Sequence, residues 1–348
     1  MALNKNIKEL LYSLAAIISA LIVGAILIKL SGHSVLEAYY YLFFGAFGSS
    51  YNLAQTLLKT IPLIFTGLAV AVGFQSGLFN IGGEGQLYWG AFATALVAIT
   101  FTDLPALILI PLALIAGAAA GSLWALIPGI LKAKTGAHEV ITTIMFNYIG
   151  ILMTTFLLKN YFKEDGPVDQ TPKIAEQAKL PEIAANTRLT WALFIAIFVI
   201  IFIYYLLNYT SSGYDLQIVG ENKSAAEYSG VNSDKVLISA MLLSGGIAGL
   251  AGSTMVLGVL HRFITNFSPG YGFTGIAVAV LGRNKPLGVL AAAFLFGVLE
   301  SGGMSMQLFA KIPADLMTIV QGLVILFVAA PSIFKVFKNK SLAFRGDN

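Results

Sequence analysis

Long runs of apolar residues, separated by short polar segments, make up most of the chain. The first run, Leu10 to Ile28, carries no charge and follows Lys5 and Lys8. A helix of that length can cross the roughly 30 Å hydrocarbon core of a bilayer. Similar runs predict further spans at 57–74, 86–101, 104–131, 138–158, 190–208, 236–260, 271–281, 286–302 and 312–330.

These runs lack the alternating pattern of about ten residues that is typical of barrel strands, so they predict helices. In lipid every backbone amide needs a partner within the protein, and a helix supplies one within its own segment. We therefore expect an all-α, polytopic membrane bundle of about ten helices, forming one domain over residues 1–348. No small-residue cleavage site ends the first run cleanly, so we expect a retained span rather than a removed signal peptide.

Composition supports a membrane protein and excludes several kinds of chemistry. Hydrophobic residues make up 57% of the chain, charged residues only 11%, and the mean hydropathy is +0.82. The absence of cysteine excludes disulfides and thiol nucleophiles. The three histidines, His33, His138 and His261, are too scattered for a metal centre. No catalytic triad or carboxylate pair is evident either, so we expect neither enzymatic activity nor a cofactor.

The distribution of lysine and arginine predicts how the chain is oriented. With both termini in the cytoplasm, twelve of the 21 basic residues lie on the cytoplasmic side. The long outer loop 159–189 then carries five basic and five acidic residues. No basic stripe with interleaved aromatic residues points to a nucleic-acid partner. The inner residues are Lys5, Lys8, Lys132, Lys134, Lys223, Lys235, Arg283, Lys285, Lys335, Lys338, Lys340 and Arg345.

Two glycine-rich segments interrupt the apolar pattern. One contains GLFNIGGEGQ, Gly77 to Gln86, and the other is the short span 271–281 with the GRNKPLG that follows. Broken helices at membrane depth occur only where they are buried in protein or line a wet cavity, so both are candidates for a substrate path. Asn80, Glu84 and Gln86 offer donors and acceptors to a solute. The alternative is a tight turn whose polar groups satisfy one another.

Each break follows a similar sequence. TGLAVAV, Thr66 to Val72, recurs as TGIAVAV, Thr274 to Val280. Two alternative explanations of this similarity are an internal duplication and the chance recurrence of common apolar residues.

The segment GAHEVITTIMFNYIG, Gly136 to Gly150, opens another span. Glu139 suits the positive N-terminus of this helix. Thr143 and Asn147 share one helix face and can bind either a neighbouring helix or a polar solute. Aromatic residues near the breaks could stack on a planar solute, although packing and interfacial anchoring are alternatives. Those aromatic residues are Trp89 and Phe273, together with Tyr88, Phe146 and Tyr148.

A polar stretch, Thr210 to Val236, lies on the predicted inner face. Asn222 or Ser224 can cap a short helix through Ala225, Ala226 and Tyr228, and Gly230 can end it. A capped helix held between two spans is typical of a docking element, and an ordinary solvated loop is the alternative. No chain of charged residues crosses the spans, which argues against an ion-coupled carrier.

Together these motifs resemble the inner-membrane permeases of bacterial ATP-binding-cassette importers for branched-chain amino acids, ribose-type sugars and nucleosides. The resemblance covers residues 57–300 and is carried by GLFNIGGEGQLYWGAF, HEVITTIMFNYIG, the Gly213–Gly230 pattern and GFTGIAVAVLGRNKPLG. These segments are most similar to the nucleoside-type members.

The resemblance implies a half-pathway for nucleosides that works with a second permease, a cytoplasmic ATPase and an extracellular solute-binding lipoprotein. Permeases for branched-chain amino acids or simple sugars remain alternatives. The chain contains no phosphate-binding loop of the G-x-x-x-x-G-K-S/T type, so a partner must hydrolyse the ATP. The resemblance assigns ATPase coupling to Glu221, Asn222, Ala225, Ala226, Tyr228 and Gly230, although Ser224 replaces the glutamate usual in the family.

Overall fold

The computed structural model describes residues 5–184, 186–313, 315–316, 318–323 and 326–327. Helices dominate these residues, whose β-pairing amounts to two isolated bridges, Gln170–Ile264 and Glu182–Thr190. The predicted all-α class is confirmed. The helices are α1 Lys5–Leu30, α2 Val35–Phe47, α3 Ser50–Gln75, α4 Gly83–Thr100, α5 Ala106–Thr135, α6 Glu139–Leu157, α7 Ala192–Tyr209, α8 Ser211–Glu221, α9 Lys223–Tyr228, α10 Ser233–Met255, α11 Tyr271–Leu281 and α12 Pro286–Phe309.

Every predicted span from 10–28 to 286–302 coincides with one of these helices. Two of these helices are each extended by a π-helical turn. Leu158–Phe162 extends α6, and Val256–Leu260 extends α10. Within the described residues, six helices are long and apolar enough to cross a membrane, which are α3, α5, α6, α7, α10 and α12. The predicted span 312–330 lies partly, and the basic tail from Lys335 wholly, outside the described residues.

Two helices lie where no element was predicted. Apolar α2 has 13 residues, too few to span a bilayer, and Ser34 caps it by accepting a hydrogen bond from the Glu37 amide. Amphipathic α8 occupies the first part of the inner polar stretch and is capped by Thr210.

The described residues form two compact units. The first contains residues up to Thr56 together with those from Leu295 on. In it α2 and α12 pack closely, since a Cβ on Gly302 would lie 2.3 Å from the Leu42 carbonyl oxygen. The second unit, Leu57–Phe294, contains both helix breaks.

The centre of the second unit is the three-helix contact among α4, α5 and α10. Glycines let the backbones approach closely, so that a Cβ on Gly90 would lie 2.3 Å from the Gly249 carbonyl oxygen. The Thr94 hydroxyl donates to Ser253 Oγ across α4 and α10 at 2.8 Å. Small residues and hydroxyl bonds of this kind are typical of helix packing in membranes, where no hydrophobic effect drives helices together.

The second unit has two distinct ends. At one end, Lys134 pairs with Asp234 at 3.3 Å, and the 282–285 turn contacts the end of α3. At the other end, Arg262 pairs with Glu164 at 3.1 Å. The segments predicted to be cytoplasmic lie at the first end, and the predicted outer loop lies at the second. Which end faces the cytoplasm stays a prediction.

The predicted outer loop is held by a small cluster of charges. Asp169 pairs with Lys163 at 2.8 Å and with Lys159 at 2.9 Å. Hydrogen bonds from these two ammonium groups hold the pKa of the Asp169 carboxyl below its ordinary value.

Candidate functional site

The first break, residues 76–82, is a buried turn organised by Asn80. Its Oδ1 accepts a hydrogen bond from the Gly82 amide at 2.9 Å, and its Nδ2 donates to Gln86 Oε1 at 3.1 Å. Nδ2 also donates to Ser244 Oγ of α10 at 2.8 Å. The Ser244 hydroxyl donates to the Ala69 carbonyl of α3 at 2.6 Å, so Asn80 ties the turn to two helices.

Two residues of α6 also form hydrogen bonds to this turn. Thr143 Oγ1 accepts a hydrogen bond from the Ile81 amide at 3.2 Å. Asn147 Nδ2 donates to the Ile81 carbonyl at 2.7 Å, and its Oδ1 accepts from the Gly85 amide at 2.8 Å. The turn therefore leaves few backbone groups unpaired, as burial within the protein requires.

Glu84 connects the first break to the second. Its side chain is almost wholly enclosed, at 3% exposure, and its Oε2 accepts a hydrogen bond from the Gly272 amide at 2.6 Å. Ser268 also bonds to this carboxylate and accepts from the Tyr271 amide at 3.2 Å. Glu84 thus lies in the first turn of α4 and at the start of α11, where both helix N-termini favour a negative charge.

Close backbone contacts accompany this hydrogen bond. A Cβ on Gly272 would lie 2.3 Å from the Glu84 amide nitrogen, and one on Gly275 would lie 2.7 Å from Thr66. Farther along, Gln75 Nε2 at the end of α3 donates to the Asn284 carbonyl at 3.0 Å. The two similar segments, 66–72 and 274–280, therefore lie side by side, and the two breaks form one site.

The predicted pathway residues fall into two groups. Asn80, Glu84, Gln86, Thr143 and Asn147 are buried together and bonded as described above.

The two aromatic candidates lie close to that polar group in the chain but take no part in its hydrogen bonds as described above. Trp89 stacks on Trp124, with centroids 5.0 Å apart, and its buried Nε1 has no acceptor among the described residues. Phe273 lies on the exposed face of α11, and 43% of its surface is exposed.

A small pocket that is partly open to solvent lies near the predicted outer end of the unit. It contains none of the predicted pathway residues. Its lining consists of Leu58, Ile61, Pro62, Arg188, Thr190, Ala192, Thr254, Met255 and Val259.

The predicted coupling segment folds as the sequence indicates. Asn222, rather than Ser224, caps α9, since its Oδ1 accepts from the Ala225 amide at 3.1 Å. Gly230 ends the helix with a φ of +87°, which glycine adopts readily, and the Val231 amide returns to the Ala226 carbonyl. Ala226 packs beneath the helix, whereas Tyr228 is 97% exposed. Glu221, Asn222, Ala225 and Gly230 are exposed as well.

The segment α8–α9 contacts the first break directly. A Cβ on Gly77 would lie 3.2 Å from Gly220 Cα, and one on Gly220 would lie 2.2 Å from the Gln75 carbonyl oxygen. Because these contacts are between backbones, a displacement of α8 has to displace the break or separate from it. Neither glycine, nor Ser244, Ser268 and Gly272, was among the predicted site residues.

The chain is similar in sequence to known transport proteins. The family described as the permease component of the branched-chain amino acid transport system matches residues 52–329. The guanosine ABC transporter permease protein NupP of Bacillus subtilis is 42% identical over 94% of each chain. The nucleoside ABC transporter permease protein NupB of Lactococcus lactis is 36% identical over 99% of this chain and 97% of its own.

A third relative has a different solute in its name. The glucose ABC transporter permease protein TsgB13 of Haloferax volcanii is 34% identical over 92% of this chain and 87% of its own. No solved structure gives a significant match to the chain.

Proposed function

Because the chain belongs to the family of permease components of branched-chain amino acid transport systems, we propose that it forms half of the pathway of an ATP-driven nucleoside importer. It is a multi-pass membrane protein and a transport subunit rather than an enzyme. Its partners are a second permease, identical or related, a cytoplasmic ATPase and a solute-binding lipoprotein outside the cell. Both termini lie in the cytoplasm.

The observation that carries the solute class is the similarity over nearly the whole chain to two relatives named for guanosine and nucleoside transport. A nucleoside presents a planar base and several hydroxyl groups. Its passage needs protein hydrogen bonds in place of water and an apolar or aromatic surface for the base. The polar cluster around Asn80 and the nearby aromatic residues Trp89 and Phe273 have this chemistry.

In the described conformation the polar side chains of the break bond to one another. A solute therefore gains access only when the break rearranges and frees groups such as the Asn80 and Gln86 amides. Exchange of internal hydrogen bonds for solute bonds keeps these buried groups satisfied throughout, which limits the free-energy cost of passage.

ATP hydrolysis supplies that rearrangement through α9. A force on the exposed side of α9 reaches the break by two routes. One route runs through α8, where Gly220 contacts Gly77. The other runs through α10, which begins five residues after α9 and bonds to Asn80 through Ser244. Alternating access then follows from tilting the helices on either side of α9.

A sugar permease is the second candidate, because the glucose-named relative covers most of the chain at 34% identity. Branched-chain amino acids are suggested by the family description alone. An ion-coupled carrier is less well supported. Among the described spans, Glu84 is enclosed by hydroxyl and amide donors rather than by a series of ionisable groups.

Uptake in cells tests the solute class. The chain is expressed with its ATPase, second permease and binding protein in a host strain without nucleoside, glucose or leucine importers. Initial uptake of labelled guanosine, adenosine, glucose and leucine is then compared with that of a strain whose ATPase lacks its catalytic base.

We expect ATPase-dependent uptake of at least one nucleoside and no uptake of glucose or leucine. ATPase-dependent uptake of glucose or leucine with no nucleoside signal would replace the proposed solute while leaving the importer class intact. Equal uptake in the ATPase-deficient strain would contradict the importer itself.

A further inference from the structure

Short apolar helix α11 has left-handed backbone conformations close to both of its ends. It has 11 residues and lies between the left-handed N-cap Gly270 and the right-handed C-cap Gly282, which two left-handed residues follow. Gly270 precedes it with a φ of +99°, and Arg283 and Asn284 follow it, each with a φ of 55°. Non-helical residues at the ends of a helix are suited to hinges, because a few terminal residues can absorb a rotation of the rigid segment between them.

The face of α11 that packs on α3 and α4 is formed by small residues. Gly272 lies against Glu84 and Gly275 lies against Thr66, with no room for a Cβ at either glycine. Gly67 of α3 is equally close to Val278. Such a face has few protruding side chains that would have to disengage before the helices slide past each other.

Polar anchors hold α11 at its two ends. At the start, the Glu84 carboxylate accepts from the Gly272 amide at 2.6 Å. At the other end, Gln75 Nε2 donates to the Asn284 carbonyl at 3.0 Å, and the buried Asn284 Oδ1 has no partner among the described residues. The first anchor is charge-assisted and lies in a region of low dielectric constant, so it is the stronger of the two.

We propose that α11 is a movable gate of the translocation pathway and that Glu84 is the positioning residue that latches it. Glu84 caps α11 from another helix, because the residue at the N-cap, Gly270, has no side chain to do so. When the carboxylate releases the Gly272 amide, α11 turns about its hinges and moves Phe273, the next residue, relative to the first break. This inference rests on the proposed transport function, and it adds the moving element and its latch.

The absence of cysteine from the chain allows a direct test. Phe273→Cys introduces the permease's only thiol on the exposed face of α11. In the assembled transporter, its labelling rate with a maleimide is measured without nucleotide and after trapping with ATP and vanadate. The same two rates are then measured with Glu84→Ala and Glu84→Gln added. Thr94→Val is the matched control, since it removes a buried α4 hydrogen bond that does not involve α11.

We expect the labelling rate to differ several-fold between the two nucleotide states in Phe273→Cys alone and with Thr94→Val. With Glu84→Ala the ratio of the two rates should fall to about one, because an unlatched gate no longer follows the ATPase. Glu84→Gln keeps an acceptor oxygen without the charge, so its ratio should be intermediate. ATP hydrolysis should persist in both Glu84 variants while solute uptake falls.

Two results would overturn the latch. One is an equal labelling rate in both states of Phe273→Cys alone, and the other is an undiminished ratio in the Glu84→Ala background. If Glu84→Ala does not assemble with the ATPase, the test rests on Glu84→Gln. A ratio of the two labelling rates as large as that of Phe273→Cys alone then contradicts the proposal. Because labelling requires no solute, an error in the assigned solute leaves this result unaffected.

Discussion

Asn147 on α6 fixes the first turn of α4, because its Oδ1 accepts the Gly85 amide proton at a donor–acceptor distance of 2.8 Å. Its Nδ2 also donates to the Ile81 carbonyl at 2.7 Å, so one side chain satisfies backbone groups on both sides of the helix start. The break therefore depends on a side chain that lies 62 residues away from Gly85 in the sequence.

Replacing Asn147 should destabilise the permease. Asn147→Ala leaves two buried backbone groups without partners, at an expected cost of about 2–4 kcal/mol. Thermal unfolding of the purified permease in detergent measures the loss. The control is Asn160→Ala, since the Asn160 amide bonds to the Phe156 carbonyl on an exposed surface. Equal unfolding temperatures for the two variants would show that Asn147 does not hold the break.

A methyl group at Gly90 should separate α4 from α10. Its Cβ would lie 2.3 Å from the Gly249 carbonyl oxygen, so the backbones have to move apart. Overpacking of this kind typically costs about 1–3 kcal/mol. Gly322→Ala is the control, because a Cβ there meets nothing within 4 Å. Unfolding of Gly90→Ala at the same temperature as Gly322→Ala would argue against this close contact.

Variants of α9 should distinguish docking from folding. Ala225 and Tyr228 are exposed, so Ala225→Arg and Tyr228→Ala should leave a folded permease that no longer co-purifies with the ATPase. Ala226 is buried, so Ala226→Glu should lower the yield of folded permease itself. Ala225→Ser, which adds only a hydroxyl, is the matched control. Full ATPase recovery with both Ala225→Arg and Tyr228→Ala would exclude α9 as the docking element.

The order of the outer loop should depend on pH in one direction. The pKa of Asp169 is lowered by Lys163 and Lys159, so the ion pairs stabilise the loop above the ordinary aspartate pKa and lose their effect as pH falls through the lowered value. A fluorophore on Val168→Cys should therefore show constant anisotropy from neutral pH to about pH 5 and a decrease below about pH 4.

Asp169→Asn provides the control for the pH experiment. Without the carboxylate, the labelled loop should show low anisotropy throughout and no change below about pH 4. A decrease in both proteins at the same pH would assign the transition to another group.

Most of the fold follows from the sequence because apolar length is a strong signal. Helix α2 was missed because 13 residues fall short of a span, although Ser34 and Glu37 have the spacing of a capping pair. The stop at Gly230 was predicted, and the cap was narrowed to Asn222 or Ser224, because caps are local and involve residues within one turn.

The site itself was predicted only in part. Asn80, Glu84 and Asn147 can be identified from the sequence alone, because each is a polar residue in apolar surroundings. Their hydrogen-bond partners cannot be identified in this way. Ser244 is one small residue in a run of small residues, and the amide of Gly272 that bonds to Glu84 is a backbone group with no sequence signature. Pairings across more than a hundred residues become visible only when the helices are packed.

Transport by the reconstituted complex tests most directly whether this chain is a nucleoside pathway driven by a separate ATPase. Proteoliposomes containing this permease, its second permease and the ATPase are supplied with binding protein and labelled guanosine outside and ATP inside. We predict accumulation that requires ATP hydrolysis and stops when Ala225→Arg prevents ATPase docking. Accumulation by this permease alone, driven by an ion gradient without the ATPase, would contradict the account.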